Sequence, residues 1–361
     1  MPVHLVGGAS SHDFFAHAKC SWNAELCESA GRCIHIGLVN NMPDKALKAT
    51  ERQFLTLLDA AANGLTVQLS LYALPAVPRT ESGRRHLSSY YSGIENLWDR
   101  HLDGLIVTGA EPQAPNLADE PYWESLTKVI EWAEHNTHST VWSCLAAHAA
   151  VLHVDGIGRR PLGEKRFGVF ECARASDHQL TAGVPSPLQM PHSRWNDIPE
   201  NELTDCGYSI LTRAQDGGVD AFVKQRKSLF VFFQGHPEYE ANTLLLEYRR
   251  DVGCYLRRER DTYPPMPQGY FDREIAEFFR ALRERAMSNR REELLADFPA
   301  VLVEQTIANT WRPVAAAVYA NWLAHLSAQN ERGLKRRRRR EHVQRAREAG
   351  AALSMPTAEV T

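Results

Sequence analysis

Ser139-Thr140-Val141-Trp142-Ser143-Cys144-Leu145-Ala146-Ala147-His148-Ala149-Ala150-Val151-Leu152 reads as a buried strand in its first half and a helix of small residues in its second. A cysteine at that junction is held on a sharp turn with helix-start N–H groups facing it. Such a setting favours a thiolate and can stabilise an oxyanion. Further along, Phe232-Phe233-Gln234-Gly235-His236-Pro237-Glu238-Tyr239 carries a second strand that ends in a His and a Glu two residues apart. Together they point to a Cys-His-Glu nucleophilic enzyme.

Outward from the cysteine, strands and helices alternate. Cys33 to Val39 reads as a strand and Asp44 to Ala62 as a long helix, with Leu47, Phe54, Leu55 and Leu58 at helical spacing. Thr66 to Ala73 alternates like a strand, and the stretch around Pro75, Pro78 and Gly83 reads as a loop. Leu102 to Val107 is a buried strand that ends in Thr108-Gly109-Ala110, and Tyr122 to His135 is a helix. From about Phe167 to Phe233 shorter strands and denser turns are expected, with Val219 to Lys224 and Leu229 to Phe233 as neighbours. Helices follow over Ala241 to Arg258, Tyr270 to Met287 and Thr310 to Leu326. This alternation argues for an α/β fold with a mostly parallel sheet flanked by helices. Ligands in such folds sit beyond the carboxyl ends of the strands, so one crevice can hold the Thr108-Gly109 turn, Cys144 and His236. The expected organisation is an N-terminal extension (1–31), a catalytic domain (32–328) and a basic, disordered C-terminal tail (329–361).

Composition narrows the class. The 361 residues are 43% hydrophobic and 24% charged, ordinary for a soluble globular protein, with a net charge of −3. That balance gives no global pull toward nucleic acid. No run approaches the roughly 18 apolar residues of a membrane span, and Met1 to Gly8 lacks the basic region and apolar core of a signal peptide. The cysteines (Cys20, Cys27, Cys33, Cys144, Cys172, Cys206, Cys254) are odd in number, scattered and free of Cys-x-x-Cys pairs, which suits free thiols in a reducing cytoplasm. No Gly-rich phosphate loop and no metal-ligand spacing is apparent.

Each candidate has a bland reading beside the chemical one. An arbitrary buried cysteine is more often inert core. The junction and the downstream His-x-Glu reverse that preference for Cys144. Residues two apart on a strand share a face, so Glu238 can orient His236 if the strand survives Pro237; the alternative is a surface turn. His148, four residues after Cys144, is a competing base. Pro191-His192-Ser193-Arg194-Trp195 reads as a loop suited to a small polar substrate, or as a merely solvated one. Glu164-Lys165 and Arg249-Arg250 look like ordinary surface charges. The run Arg336 to Arg340 is a solvated tail, with phosphate binding as the sharper alternative.

Several motifs in order resemble the homoserine O-succinyltransferase family, which includes homoserine O-acetyltransferases of the same fold. They are Asn41-Met42-Pro43, Asp103 to Ala110, Tyr122-Trp123, Cys144 with Ala146-Ala147, Glu164-Lys165 with Gly168-Val169, and Pro191-His192-Ser193-Arg194. Gly235 to Tyr239, Thr243-Leu244, Arg250-Asp251, Thr310-Trp311-Arg312 and Asn321-Trp322-Leu323 complete the set, which spans roughly residues 33–326. The resemblance implies a class I glutamine amidotransferase-like (flavodoxin-like) fold and a ping-pong acyl transfer without a bound cofactor or metal. Cys144 would take an acyl group from acyl-CoA as a thioester, with His236 as base and Glu238 supporting it. Lys165, Ser193 and Arg250 match substrate-contacting positions, Arg250 holding the carboxylate of L-homoserine, a role suited to a guanidinium fork. The third residue after Thr-Gly-Ala helps set acyl choice in the family, glycine going with succinyl and glutamate with acetyl. Here that place falls on Gln113, whose neutral amide can donate to a succinyl carboxylate, while a small shift would bring in Glu111 and favour acetyl. The expected partners are therefore small molecules, succinyl-CoA ahead of acetyl-CoA, with a homodimer also compatible.

Two other classes compete. One is a glutamine amidotransferase-like hydrolase, although the flanks of Cys144 lack the glycines of a Gly-x-Cys-x-Gly turn. The other is a non-enzymatic protein whose Arg tail binds nucleic acid. An acyltransferase that accepts serine or another hydroxy amino acid is a variant of the first reading.

Overall fold

In the computed structural model the apolar run Ser139–Ser143 is a fully buried strand with Val141 toward one face of a sheet and Trp142 toward the other. The structure describes residues 3–6, 33–215, 218–299 and 303–353, with side chains as far as 333. The strands are β1 (Val3–Leu5), β2 (Cys33–Val39), β3 (Thr66–Tyr72), β4 (Gly104–Val107), β5 (Ser139–Ser143), β6 (Arg160–Arg174), β7 (Leu188–Asp197), β8 (Ser209–Ala214), β9 (Val219–Gln225) and β10 (Leu229–Phe233). The helices are α1 (Asp44–Ala61), α2 (Glu81–Tyr90), α3 (Glu95–Trp98), α4 (Trp123–Asn136), α5 (Leu145–Asp155), α6 (Glu200–Asp205), α7 (Thr243–Leu256), α8 (Arg273–Ser288) and α9 (Arg312–Leu353).

All the strands join one sheet in the order β1-β3-β2-β4-β5-β10-β9-β8-β6-β7. Pairing from β1 to β10 is parallel; from β10 through β7 it is antiparallel. This is the expected α/β sheet with helices on its faces. Strand order reverses between β2 and β4, where a doubly wound sheet opens a crevice. Asn41 closes that point: its amide donates to Thr108 Oγ1 at 2.8 Å, and its Oδ1 accepts from the Leu74 amide at 3.1 Å.

Three expectations change. The stretch through Gly83 is helical, because Thr80 caps α2 by accepting from the Gly83 amide at 3.2 Å. The region after Phe167 holds some of the longest strands, β6 and β7, rather than short ones. Pro191 disguised β7, yet β7 lies at the sheet edge, where a missing N–H is tolerated. Past Gln329 the chain stays helical: α9 runs through the Arg run to Leu353, in keeping with the helix propensity of its Ala, Glu and Arg residues. Of the N-terminal extension only Val3–Leu5 and Val6 are described, and β1 pairs with β3.

One face of the sheet is closed by α1 and α9. Val314, Ala315, Val318, Tyr319, Trp322, Leu323 and Leu326 of α9 lie in the same buried cluster as Ile36, Ile106 and Val141. Trp322 donates from Nε1 to Ser139 Oγ at 2.9 Å, under the strand that precedes Cys144. A side chain at Gly104 would meet Trp322 and Leu326 at 2.9 and 2.7 Å, so helix and sheet touch through a glycine. Trp322→Ala should cost about 3–5 kcal/mol of stability. Urea unfolding measures it, and a loss below about 1 kcal/mol would show that the sheet does not depend on this helix.

Candidate active site

Cys144 is the N-cap of α5 with φ 50° and ψ −110°, a left-handed backbone that an L-residue adopts only under constraint. The constraint is visible. Its amide donates to the carbonyl of Phe233 at 2.7 Å, and its carbonyl already accepts from Ala147 and His148 at 2.9 and 3.3 Å. The chain must leave β5 and enter α5 within one residue. Gly109 crosses directly above; a Cβ there would meet Leu145 Cβ at 2.7 Å and its backbone N at 3.2 Å. The Leu145 amide opens the helix, so it has no acceptor within α5.

The bond from Cys144 to Phe233 links the cysteine to β10, whose exit carries His236. Beyond Phe233, the amides of Gln234 and His236 donate to the carbonyls of Asp220 and Pro191, each at 2.8 Å. Trp311 Nε1 donates to the carbonyl of Tyr239 at 2.9 Å. Between these ties His236 Nδ1 lies 2.8 Å from Glu238 Oε1. The pairing comes from a turn, not from the strand alternation expected, because β10 ends at Phe233. His236 and Cys144 line the same cavity, close enough for the sulfur to act on the imidazole. Burial works against an imidazolium here, but the Glu238 carboxylate and the Cys144 sulfur together raise the His236 pKa well above its ordinary value. The Tyr239 ring stacks on the imidazole at 4.2 Å and 16°, presenting a π-face to that cation.

His148 has the opposite electrostatics. It is buried, and Arg194 and Arg159 add positive charge beside it, so its pKa is pushed down to about 3. It is neutral and poorly suited to accept the thiol proton.

A cavity of about 560 Å³ opens over the sulfur. Cys144, His236 and Glu238 line it, and so do Lys165, Ser193, Arg250, Gln113 and Glu111. Lys165, expected at the surface, is buried: its Nζ lies 3.1 Å from Asp251, 3.7 Å from Glu247 and 4.0 Å from the centre of the Phe167 ring. It occupies an irregular stretch of β6 where the register with β7 shifts, a distortion that re-aims side chains. Ser193 sits on β7 rather than in a loop and donates to Glu247 Oε2 at 2.5 Å. Arg250 is half exposed and reaches Asp251 through Nε and Nη2 at 2.9 and 2.8 Å. Burial resists the charge on Asp251, yet Lys165 and Arg250 hold its carboxyl below the usual range. The Gln113 amide donates to buried Glu120 at 2.7 Å, which anchors the loop. Glu111 pairs with Lys45 at 3.3 Å at the exposed mouth.

Glu247 escaped the sequence reading. It accepts from Tyr239 at 2.6 Å as well as from Ser193, and it lies three and four residues before Arg250 and Asp251 on α7. That helical spacing is the signal that could have found it. Metal-ligand spacing was also invisible along the chain, yet Cys172, His192 and Asp220 bring one ligand-type atom each within 4.8 Å of one another. They are buried and none of them lines the cavity. His192 sits 3.2 Å from Asp220, and Thr212 donates to Asp220 at 2.7 Å.

A strained cysteine at a helix start and a charged His-Glu pair meet at one cavity beyond the strand ends, which is where a protein of the α/β class carries its site. The chain belongs to the homoserine O-succinyltransferase family, which it matches over residues 21–332, and it is an acyltransferase acting in methionine biosynthesis. It is 48% identical over 301 residues to a homoserine O-succinyltransferase of Rhodopseudomonas palustris, covering 83% of this chain and 90% of that one. It is 46% identical over 326 residues to a homoserine O-succinyltransferase of Methylorubrum extorquens, covering 90% and 95%. A solved glutamine amidotransferase from Thermotoga maritima is a remote neighbour: TM-score 0.47, 11% identity, 81% of this chain and 98% of that one. Among the described residues no helix is long and apolar enough to cross a membrane.

Glu238→Gln removes the charge that raises His236 while burial continues to lower it. The imidazole titration should move down, as followed by NMR. Stability should respond with a definite sign. The wild-type contribution from protonated His236 is full below about pH 6.5 and fades as pH rises through its higher folded value. In the variant that alkaline loss should shrink, and an unmoved imidazole would remove Glu238 as its cause.

Proposed function

We propose that this protein transfers a succinyl group from succinyl-CoA to the hydroxyl of L-homoserine through a thioester on Cys144. The observation that carries this reading is that Cys144 lines one cavity with a His236 that Glu238 and the sulfur hold charged.

In the first half-reaction the Cys144 thiolate adds to the thioester carbonyl. The oxyanion forms at the start of α5, where the free Leu145 amide and the helix dipole face it. When the C–S bond to CoA breaks, His236 gives its proton to the departing sulfur. His236 is then neutral and able to accept a proton. In the second half-reaction the homoserine hydroxyl attacks the acyl-enzyme while His236 takes the hydroxyl proton. Collapse returns O-succinylhomoserine and the Cys144 thiolate paired with the imidazolium. Splitting the transfer in two lets each substrate use the same oxyanion site.

Homoserine must be held by both of its charges if its hydroxyl is to reach the thioester. Arg250, with Nη1 uncommitted, is placed to take the carboxylate. Glu247, the acidic group between Lys165 and Ser193, is placed to take the ammonium. For the donor, Gln113 offers a neutral amide, and the Glu111 charge is matched by Lys45. Neither feature repels a succinyl carboxylate. The relatives' names agree with that donor.

Mass spectrometry of the protein mixed with succinyl-CoA, without homoserine, should find one succinyl group on the peptide bearing Cys144. Cys144→Ala should show none while unfolding near the wild-type denaturant concentration. Label on any other residue, or acetyl transfer with no succinyl transfer, would sink the reading. Arg250→Ala should raise KM for homoserine about 10- to 100-fold, the worth of a charged hydrogen bond, with the acyl-enzyme still formed. Equal loss of acylation would remove Arg250 from the acceptor site.

A further inference from the structure

Five of the cations lining the catalytic cavity are Lys45, Lys165, Arg194, Arg250 and Arg159. The first four face carboxylates: Lys45 with Glu111 at 3.3 Å, Lys165 with Asp251 at 3.1 Å, Arg194 with Asp197 at 3.0 Å, and Arg250 with Asp251 at 2.8 Å. Arg159 has no acidic partner among the described residues. Its one hydrogen bond runs from Nη2 to the carbonyl of Pro115 at 3.2 Å, on the loop that carries Gln113. Glu120, the buried acid behind that loop, spends Oε1 on the amides of Gln113 and Ala114 and forms no ion pair with Arg159. His148 is kept neutral and offers no countercharge. Arg159 is half-buried and keeps guanidinium donors open toward the cavity, where a ligand anion can take them.

Position narrows which anion that is. The positive charge of Arg159 is felt at His148, one turn along α5 from Cys144, and at Tyr122 behind the Gln113 loop. Arg159 therefore stands on the wall made by α5 and residues 110–115. Arg250 belongs to a second group on α7, with Lys165 and Glu247, which makes no hydrogen bond or ion pair with Arg159 among the described residues. An acyl group bonded to Cys144 has its tail free to lie along the first wall while homoserine meets the second group.

We propose that Arg159 is the acyl-specificity cation: it receives the free carboxylate of a dicarboxylic acyl group while that group is carried by Cys144. This rests on the reading that Cys144 is acylated. Arg159 then selects a four-carbon diacid over a neutral acyl chain by a charge-assisted hydrogen bond, with Gln113 adding a neutral donor beside it.

The test uses the full chain, with Arg159→Gln and Arg159→Lys, and two donors of equal carbon count, succinyl-CoA and butyryl-CoA. Inhibition by free CoA is measured beside them. Arg159→Gln should lower kcat/KM for succinyl-CoA about 10- to 100-fold. The butyryl-CoA value and the CoA inhibition constant should stay within about twofold, since neither involves the lost contact. Arg159→Lys should fall between, keeping the charge but losing the fork. Equal losses for both donors, with weaker CoA inhibition, would assign Arg159 to the nucleotide phosphates and overturn the proposal. Unchanged succinyl-CoA kinetics would overturn it as well. Where butyryl transfer is too slow to follow, the CoA inhibition constant alone separates carboxylate from phosphate. A wild-type protein that accepts no acyl group from either donor would instead refute the proposed function.

Discussion

The hydrogen bond from the Cys144 amide to the Phe233 carbonyl is the tie on which the site depends. It extends the parallel ladder between β5 and β10 by one step beyond the last paired residues, Ser143 and Phe233. At that step one chain must turn into α5 and the other into the His-Pro-Glu turn. Two reactive groups 92 positions apart in sequence are thus delivered side by side by strands that are already neighbours. The left-handed backbone of Cys144 follows from the same tie, because the residue belongs to the sheet by its amide and to the helix by its carbonyl. Strain of this kind costs on the order of 1–3 kcal/mol and needs rigid surroundings. The surroundings here are Gly109 pressed against Leu145, buried Ala146 and Ala147, and Trp322 bonded beneath β5.

The antiparallel half of the sheet and α7 supply the other wall. Lys165 comes from a distorted part of β6, Ser193 from edge strand β7, and Glu247, Arg250 and Asp251 from α7. Two acids and two bases packed so closely would each be costly alone. Together they neutralise one another: Lys165 lies between Glu247 and Asp251, and Asp251 also serves Arg250. The exchange leaves Arg250 half exposed with donors to spare. A pocket built this way keeps its charged groups fixed in advance, so the zwitterionic acceptor proposed for it would bind with little reorganisation.

Period and junction made much of this legible. β2, β5 and β10 are apolar runs of strand length, and α1 shows its buried stripe at helical spacing, so the parallel half could be read directly. Cys144, His236 and Glu238 drew the eye in the sequence because the first closes an apolar strand run and the other two follow one within five residues. The roles proposed for Lys165, Ser193, Arg250 and Gln113 came from motif resemblance, since spacing alone offered only surface charges and a loop. What stayed hidden depends on tertiary context. Pro191 looks like a strand breaker unless the strand is known to be an edge. Arg159 sits in Gly158-Arg159-Arg160, an unremarkable basic turn until its lack of a carboxylate can be seen. The Cys172, His192 and Asp220 group draws on three different strands and has no linear signature.

Two histidines line one cavity, and the structure separates their roles by charge rather than by position. His148 shares a helix with Cys144 and would look the nearer partner on a sequence map. Buried beside Arg194 and Arg159, it is driven to about 3 and stays neutral throughout the physiological range. His236 is equally buried, but its close neighbours are a carboxylate and a sulfur, and the balance reverses. Burial amplifies whichever sign of charge stands next to the ring, because low dielectric weakens screening along with solvation. Burial, reinforced by these arginines, makes His148 a poor base, and in the proposed mechanism the proton traffic falls to His236. Arg194 is answered by Asp197, so Arg159 is the one of the two that lends positive charge to the α5 wall, the polarity that the proposed anionic acyl chain requires.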